Sequence, residues 1–373
     1  MVINLYSTIE EAASLADVDI AKNNATSYLL NLLKKGPQNY INGFDSEFKL
    51  LVINCKIIPV VINHGHDNSS YLSALSVHYV KHGIDSVKDK VKNPVKYGAL
   101  KFFGILLNKL LNLAKINKAV YVNCWMMPTG VTNSLNEMEL SAIRCFFRDT
   151  YPSYALIFKG VNNYLHLEGM AIPQANSLIN RIVYLAGMDE VFLDKTNIKK
   201  ALSVNKKTKY KLYQSDELQA EDLPAIMQLY NRLYFGQHSK YSLSYNLKWF
   251  KMLREQPLFK LQAFKSQEQE LVSFTVTFLD NNSSISSLGA CKKDSKEYFH
   301  LYTLNFAIRL IDAIGKVKYI NMSSGGDEFK KNRGGIAKAE YDLIYFDHLP
   351  LFKRAVWQVF ISVCKKTIKY LNK

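Results

Sequence analysis

Apolar positions in the second half of the chain recur at the spacings of a mixed α/β domain. Residues 210–214 read as a short strand, and Glu221-Asp222-Leu223-Pro224 opens a helix, with acids at its start and proline in the first turn, where no amide hydrogen is needed. Gly236 is expected to stop that helix. Leu247, Trp249, Phe250 and Leu253 predict a second helix ending before Pro257. Three strand-like runs follow, 259–265, 271–279 and 284–290, the last two joined by a turn at Asp280-Asn281-Asn282. A long helix is predicted over 296–314, carrying Phe299, Leu304, Ile308 and Ile311 and stopped by Gly315. A strand at 317–322, a glycine pair opening a short helix, and a strand at 341–347 complete the unit.

The first half echoes this order. Phe48-Lys49-Leu50 opens a strand pair that is expected to turn at Asp67-Asn68-Ser69-Ser70, as Phe259-Lys260-Leu261 opens one that turns at Asp280-Asn281-Asn282-Ser283-Ser284. A helix around 97–117 and a strand at 119–125 then parallel the 296–314 helix and the 317–322 strand, with Asn123 and Asn321 in similar places. The offset drifts from 211 residues (48 to 259) to 198 (123 to 321), so the duplication is divergent. Between Asp194 and Asp216 stand seven lysines (195, 199, 200, 206, 207, 209 and 211) and no acid. Such a run reads as a solvated connector. The expected organisation is a first domain over 1–194, a basic linker at 195–209, and a second domain over 210–373.

The length of 373 residues agrees with about two domains at roughly 150 residues each. With 48% apolar and 21% charged residues, disordered, collagen-like and disulfide-stapled classes are excluded. Cysteines 55, 124, 145, 291 and 364 show no CxxC spacing, which suits a reducing compartment and gives no zinc signal. The first twenty residues carry Glu10, Glu11, Asp17 and Asp19 but no Lys or Arg, the reverse of a secretory leader. The longest uncharged run, 119–136, is broken by Asn123, Pro128, Gly130 and Asn133 and falls short of a span of roughly 20 apolar residues. A soluble cytoplasmic protein, free or peripheral to the inner membrane, is expected. The net charge of +16 is uneven: 21 basic against 16 acidic residues over 1–200, and 27 against 16 over 201–373. A basic second half favours a nucleotide cofactor, RNA or an acidic lipid surface, set against the plainer reading of a lysine-rich proteome.

The element order β-α-α-β-β-β-α-β-α-β, with Leu288-Gly289-Ala290, the tyrosine-rich Tyr298-Phe299-His300-Leu301-Tyr302, the strand at 319–322, Gly325-Gly326-Asp327-Glu328-Phe329-Lys330-Lys331-Asn332-Arg333-Gly334 and His348-Leu349-Pro350, resembles the bacterial FemAB-like branch of the GNAT acyltransferases over about residues 210–357. The resemblance implies an α/β fold with mixed sheet (α+β in character) built as two tandem GNAT-like domains. It also implies direct transfer, in a ternary complex and without a metal, of an acyl group from acyl-CoA or aminoacyl-tRNA to an amine on an amino acid, peptide or cell-envelope precursor. Where many relatives carry a glycine-rich pyrophosphate loop, this chain reads Gly289-Ala290-Cys291-Lys292-Lys293-Asp294-Ser295, with one glycine. Lys292, Lys293 and the next helix start are then the candidates for holding a phosphate. An aminoacyl-tRNA donor also suits the absent loop.

Residues 323–335 are the most informative stretch. The glycine pair permits a sharp turn, and Lys330 and Arg333, three apart on one helical face, offer charge and a fork to phosphate or carboxylate. Gly325, Gly326, Gly334 and Asn321 join them as candidate donor- or substrate-binding residues. Asp327 and Glu328 are candidate proton acceptors; Tyr298 and Tyr302 are candidate donors to a leaving thiolate or ribose oxygen. His238 lies in a connector that borders the acceptor pocket in GNAT folds. The plainer readings are core tyrosines, a solvated helix start and an exposed loop histidine. His64-Gly65-His66-Asp67 invites a zinc reading that no further Cys or His cluster completes, and Cys291 invites one as a covalent acyl carrier that no placed histidine supports.

Two amphipathic stretches bear on partners. Over 98–118, Lys101, Asn108, Asn112 and Lys115 form a polar stripe while Leu100, Phe103, Leu107, Leu110 and Leu111 are apolar; over 352–373, Trp357, Phe360, Ile361 and Ile368 are mixed with six Lys or Arg. Each either packs on a sheet, the expectation for the first, or lies on an anionic bilayer. The competing function is a non-catalytic binder of RNA or anionic membrane on a degenerate duplication.

Overall fold

The computed structural model describes residues 2–13, 24–67, 70–88, 91, 93–130, 134–162, 176–279, 283–293 and 297–371. They form two compact units. Unit 1 takes Met1–Asn180, Tyr234–Ser244 and Glu340–Lys373; unit 2 takes Arg181–Leu233 and Tyr245–Ala339.

Unit 1 holds β1 (Ile3–Tyr6), α1 (Asn24–Lys35), β2 (Glu47–Ile53), β3 (Lys56–His64), a wide π turn (Val77–His82) running into α2 (Gly83–Ser86), α3 (Pro94–Leu113), β4 (Lys118–Val122), α4 (Glu137–Thr150), β5 (Ala155–Val161), and the start of β6 (Ser177–Gly187). It ends with most of β12 (Ile336–Tyr345) and with α11 (Leu351–Leu371). Its strands run β1-β2-β3-β4-β5-β12, antiparallel throughout except for the parallel β4–β5 pair. The β2–β3 hairpin closes through Asn54 and Cys55, both at positive φ (47° and 61°), as a two-residue turn matched to strand twist requires. The turn is therefore not at 67–70, of which Asn68 and Ser69 lie outside the described residues. An Asn136–Glu139 capping box starts α4. Leu51, Ile58, Val60, Val120, Ile143 and Phe158 are among the residues that fill the core.

Unit 2 holds the rest of β6, α5 (Glu190–Leu193), α6 (Thr196–Lys206), β7 (Lys211–Tyr213), α7 (Leu223–Leu233), α8 (Leu247–Glu255), β8 (Phe259–Lys265), β9 (Leu271–Leu279), β10 (Ser283–Cys291), α9 (Tyr298–Ala313), β11 (Tyr319–Asn321), α10 (Asp327–Lys331) and the first residues of β12. Its strand order is β7-β8-β9-β10-β11-β6, antiparallel except for β10–β11. The element order expected from the sequence is the one found. The mixed α/β class holds, and the described residues divide between two units.

Four expectations differ in detail. Residues 195–209 hold a helix rather than a connector: Ile198 and Ala201 of α6 are buried in a core with Phe306 and Leu310, while the lysines take the outer face. Gly236 does not end α7, because the chain passes straight into a π turn, Tyr234–His238. The strand expected at 317–322 shortens to Tyr319–Asn321, and the one at 341–347 begins at Ile336. The repeat is topological but one element out of register. β4 is antiparallel to β3 and parallel to β5, as β10 is to β9 and β11, so β4 answers to β10 and not to β11. α2 and α3 are then an insertion, and Asn123 is no counterpart of Asn321. The expected turn at 280–282 lies outside the described residues.

Candidate functional site

In unit 2, β10 and β11 pair over three positions only: Ser283 with Tyr319, Ser284 with Ile320 and Ile285 with Asn321. Beyond them β10 continues to Cys291 beside β9, with a bulge between Ser286 and Leu288. The chain leaving β11 turns away through Ser323, Gly325 and Gly326 at φ of 60°, 74° and 63°. The two parallel strands thus part, and along residues 286–291 β10 has no strand partner on that side among the described residues.

Side chains from three directions shape this opening. Asn321, buried at the end of β11, accepts from the Ser323 amide at 2.9 Å and holds the turn closed. Lys330 of α10 reaches back beneath the same turn and donates to the Ser323 and Ser324 carbonyls at 3.1 and 2.7 Å. Burial, aided by the Arg309 charge, pulls its ammonium down to a pKa of about 7. Arg333 lays its guanidinium on the Phe329 ring, 3.4 Å from the centroid, and donates to the Phe329 carbonyl at 3.2 Å. Its buried Nε meets no hydrogen-bond partner among the described residues.

Tyr298 and Tyr302 stack at 6.4 Å, one turn apart on α9. Tyr302 sets its edge on Phe329, and burial raises its hydroxyl pKa, so it is protonated at neutral pH. A Cβ on Gly326 would lie 2.7 Å from that hydroxyl, in a left-handed conformation that disfavours side chains. Gly326→Ala should therefore lose about 1–3 kcal/mol in urea unfolding, with Tyr302 displaced in a crystal structure of the variant. Asp327 is exposed beside Tyr184, whose hydroxyl is raised by burial and then by its hydrogen bond to that carboxylate. Glu328 is exposed too. Gly334 takes φ of 84°, and a Cβ there would lie 2.5 Å from Lys195 Nζ.

Sequence reasoning missed Arg309. From α9 it donates through Nε to Thr275 Oγ1 and through Nη2 to the Leu288 carbonyl at 3.0 Å, bracing the β10 bulge. Gly289 makes room, since a Cβ there would be 2.5 Å from Nη2. An arginine inside the apolar run Phe306-Ala307-Ile308-Arg309-Leu310 was the available signal.

The expected phosphate site after β10 is occupied differently. Lys292 is paired with Glu270 at 2.7 Å, and Lys293 is exposed. Ahead of the first turn of α9 stands Glu297, whose carboxylate accepts from Lys209 at 2.6 Å and Tyr210 at 2.5 Å, contacts that hold it ionised. Among the described residues, Lys209 and Lys292 beside this helix start are thus already held by carboxylates. Asp294 and Ser295 lie outside the described residues. Cys291 is half-buried, and desolvation of its thiol pushes it up to about 12 and removes it as an acyl carrier at neutral pH.

His238 belongs to unit 1, exposed and edge-on to Tyr234, near a His82 that burial, and then the His238 charge, lowers to about 4. The metal reading at 64–67 dissolves into ordinary partners: His64 bonds Glu47 and Tyr154 at 2.7 Å each, and Asp67 accepts from Lys81 at 3.0 Å and Asn112 at 2.8 Å. Among the described residues no group of three ligating side chains is suited to a metal.

Unit 1 has a polar centre that the sequence did not reveal. Asp342 of β12 is fully buried and paired with Lys159 of β5 at 2.9 Å. The same carboxylate accepts from Tyr79 at 3.0 Å, the Gly160 amide at 3.0 Å and Asn180 at 2.7 Å. His78 lies nearby, half-buried, its imidazole lowered to about 3 by desolvation and the Lys159 charge.

No protein-family model and no curated protein matches the chain. Among solved structures it is similar to L-PGS from Bacillus licheniformis (13% identical over 60% of this chain and 77% of that one, TM-score 0.42). It is similar likewise to FemX (10%, 65% and 82%, TM-score 0.42) and to a GCN5-related N-acetyltransferase from Kribbella flavida (8%, 62% and 82%, TM-score 0.35). Likeness at this distance leaves the chemistry to be argued from the site.

Proposed function

We propose that unit 2 transfers an acyl or aminoacyl group to an amine at the opening between β10 and β11. The observation that supports this reading is the convergence there of a braced strand bulge, a protonated, half-buried tyrosine and a double-glycine turn pinned from below by Lys330. The acceptor nitrogen attacks the donor carbonyl carbon, and the bond to the ribose oxygen, or to sulfur for a thioester donor, breaks. One proton passes from the amine to Asp327, and Tyr302 supplies one to the leaving atom. Holding donor and acceptor in line supplies most of the acceleration. Lys330, Asn321 and Arg309 are positioning residues; Arg333, with a buried unpaired Nε, and Tyr298 face the donor.

Of the two donors, aminoacyl-tRNA is favoured over acyl-CoA, because among the described residues the lysines beside the start of α9 are engaged by carboxylates, Lys209 by Glu297 and Lys292 by Glu270. The basic second half supports a tRNA partner. The acceptor is an amine on an amino acid, peptide or cell-envelope precursor, and the setting is the cytoplasm.

Calorimetric titration with charged tRNA, uncharged tRNA, acetyl-CoA and longer acyl-CoAs at two salt concentrations tests the assignment. Saturable binding that prefers the charged tRNA is expected. Tyr302→Phe should then lower kcat about 10²–10⁴-fold with KM little changed. The other reading, a non-catalytic binder, gains from the internal engagement of Lys330 and Arg333. Equal binding of charged and uncharged tRNA, fading alike with salt and without product, would establish it instead.

A further inference from the structure

Helix α3 of unit 1 shows its apolar face to solvent. Its inward stripe is Tyr97, Leu100, Gly104, Leu107 and Leu111, and only Gly104 and Leu111 are fully buried. Gly104 lets the helix press close to α2, since a Cβ there would lie 2.1 Å from Ile84 Cδ1. That contact sets the rotation of α3 and leaves a second stripe outward: Val95, Phe102, Leu106, Leu110 and Leu113, at 78%, 64%, 45%, 62% and 82% exposure. Of the apolar residues expected to pack on a sheet, Leu100, Leu107 and Leu111 turn inward, whereas Phe103 and Leu110 face out. Asn112, placed on the polar stripe, bonds Asp67.

The rim of this stripe is cationic. At 100° per residue, Lys96 borders it on one side and Lys109 on the other, and 94–118 contains five lysines and no acid. Beyond the C-terminal end of α3, Lys115 and Lys118 come close enough to Lys353 of α11 to help burial lower its pKa. Next to Lys353, Leu351 and Phe352 are 78% and 71% exposed. An apolar stripe about 30 Å long, on a segment with lysines on both rims and no carboxylate of its own, is complementary to one occupant: acyl chains below, anionic headgroups at the edges. A protein groove would have to bring its own acids to every rim lysine.

We propose that α3 lies in the plane of an anionic bilayer and anchors unit 1 to it by Phe102, Leu106 and Leu110, with Lys96 and Lys109 on headgroups. The inference does not depend on the acyl-transfer reading.

Flotation with phosphatidylcholine vesicles, with and without phosphatidylglycerol, tests it. Binding to the mixed vesicles is expected, weakening about fivefold for each of Lys96→Ala and Lys109→Ala. Phe102→Ser, Leu106→Ser and Leu110→Ser combined should weaken it more than about a hundredfold. The three side chains are exposed, so this variant should unfold with the wild type, which circular dichroism checks. Tryptophans 125, 249 and 357 are buried, so Phe102→Trp adds an exposed reporter whose emission should shift to the blue on mixed vesicles only. No flotation, or flotation unaffected by the triple variant, overturns the proposal. So does a concentration-dependent dimer that the triple variant dissolves, which would make a second copy the occupant.

Discussion

Replacing Asp342 by Ala should cost the protein about 3–5 kcal/mol, read as the shift of the urea transition that reports unit 1. The magnitude follows from what is left behind. Lys159, 5% exposed, keeps its ammonium but loses its counter-ion, and Tyr79, Asn180 and the Gly160 amide lose their acceptor together. Burial alone would push the Asp342 carboxyl up, yet the charges of Lys159 and His78 and the hydrogen bonds to Lys159 and Gly160 hold it below the usual range. Asp342→Asn should cost nearly as much, because its NH₂ must face a ring of donors. The combined Lys159→Met and Asp342→Leu variant removes both charges and should recover most of the loss.

The same centre predicts an acid limb. A carboxyl depressed in the folded state stabilises fully above its unfolded value and loses that contribution as pH falls through the folded one. His78 acts in the same direction: unfolded chains protonate it below about 6.5, whereas the folded protein keeps it neutral down to about 3. Stability should therefore decline from near pH 6.5 and steepen below 4, with the upper part of that slope reduced in His78→Gln and the remainder carried by His82, which burial lowers to about 4. An Asp342→Ala transition within about 1 kcal/mol of wild type, or an acid limb indifferent to His78→Gln, would show that the pair is not intact in solution.

Where elements came from local periodicity, they were legible. Strands 259–265 and 271–279 match β8 and β9 residue for residue, because their ends are set by Pro257, the polar tight turn at 266–270 and an Asp-Asn-Asn sequence. The failures share a physical cause, since each depends on a partner distant in sequence. Lysines 195–209 read as solvated, and they are, but Ile198 and Ala201 between them find a buried face on α9. The repeat slipped by one element because strand direction, not strand composition, distinguishes β4 from β5. Asp342, in Tyr341-Asp342-Leu343-Ile344-Tyr345, interrupts an apolar strand, a signal that it must be paired; its partner lies 183 residues away. In the 323–335 segment the residue types and the turn were readable. That Lys330 points under the turn was not, because helical spacing places it beside Arg333 but does not say which way it reaches.

That inward reach leads to the second large effect: Lys330→Met should stabilise the protein below pH 7 while removing donor capture. An ammonium held at a pKa of about 7 against an ordinary 10.5 is destabilised by burial on the order of 4 kcal/mol. Its two hydrogen bonds to the Ser323 and Ser324 carbonyls return about 1 kcal/mol each. Methionine, of similar length, removes both terms and should gain about 2 kcal/mol at pH 6. The sign follows from proton counts. Between about 7 and 10.5 the unfolded chain holds a proton on Lys330 that the folded chain has released, so wild-type stability climbs across that window. Met has no such slope, and at about 1.4 kcal/mol per pH unit its advantage should shrink from pH 7 upward, vanish near about pH 8.5 and reverse above that. The turn bears the loss: with its carbonyls unpinned, amides of residues 324–326 should exchange faster with deuterium, and charged tRNA should no longer saturate the protein. A variant more stable at pH 6 that still binds the donor fully would keep the buried ammonium but strip Lys330 of its positioning role. A variant less stable at every pH would mean that the lysine is paired more strongly than burial opposes it.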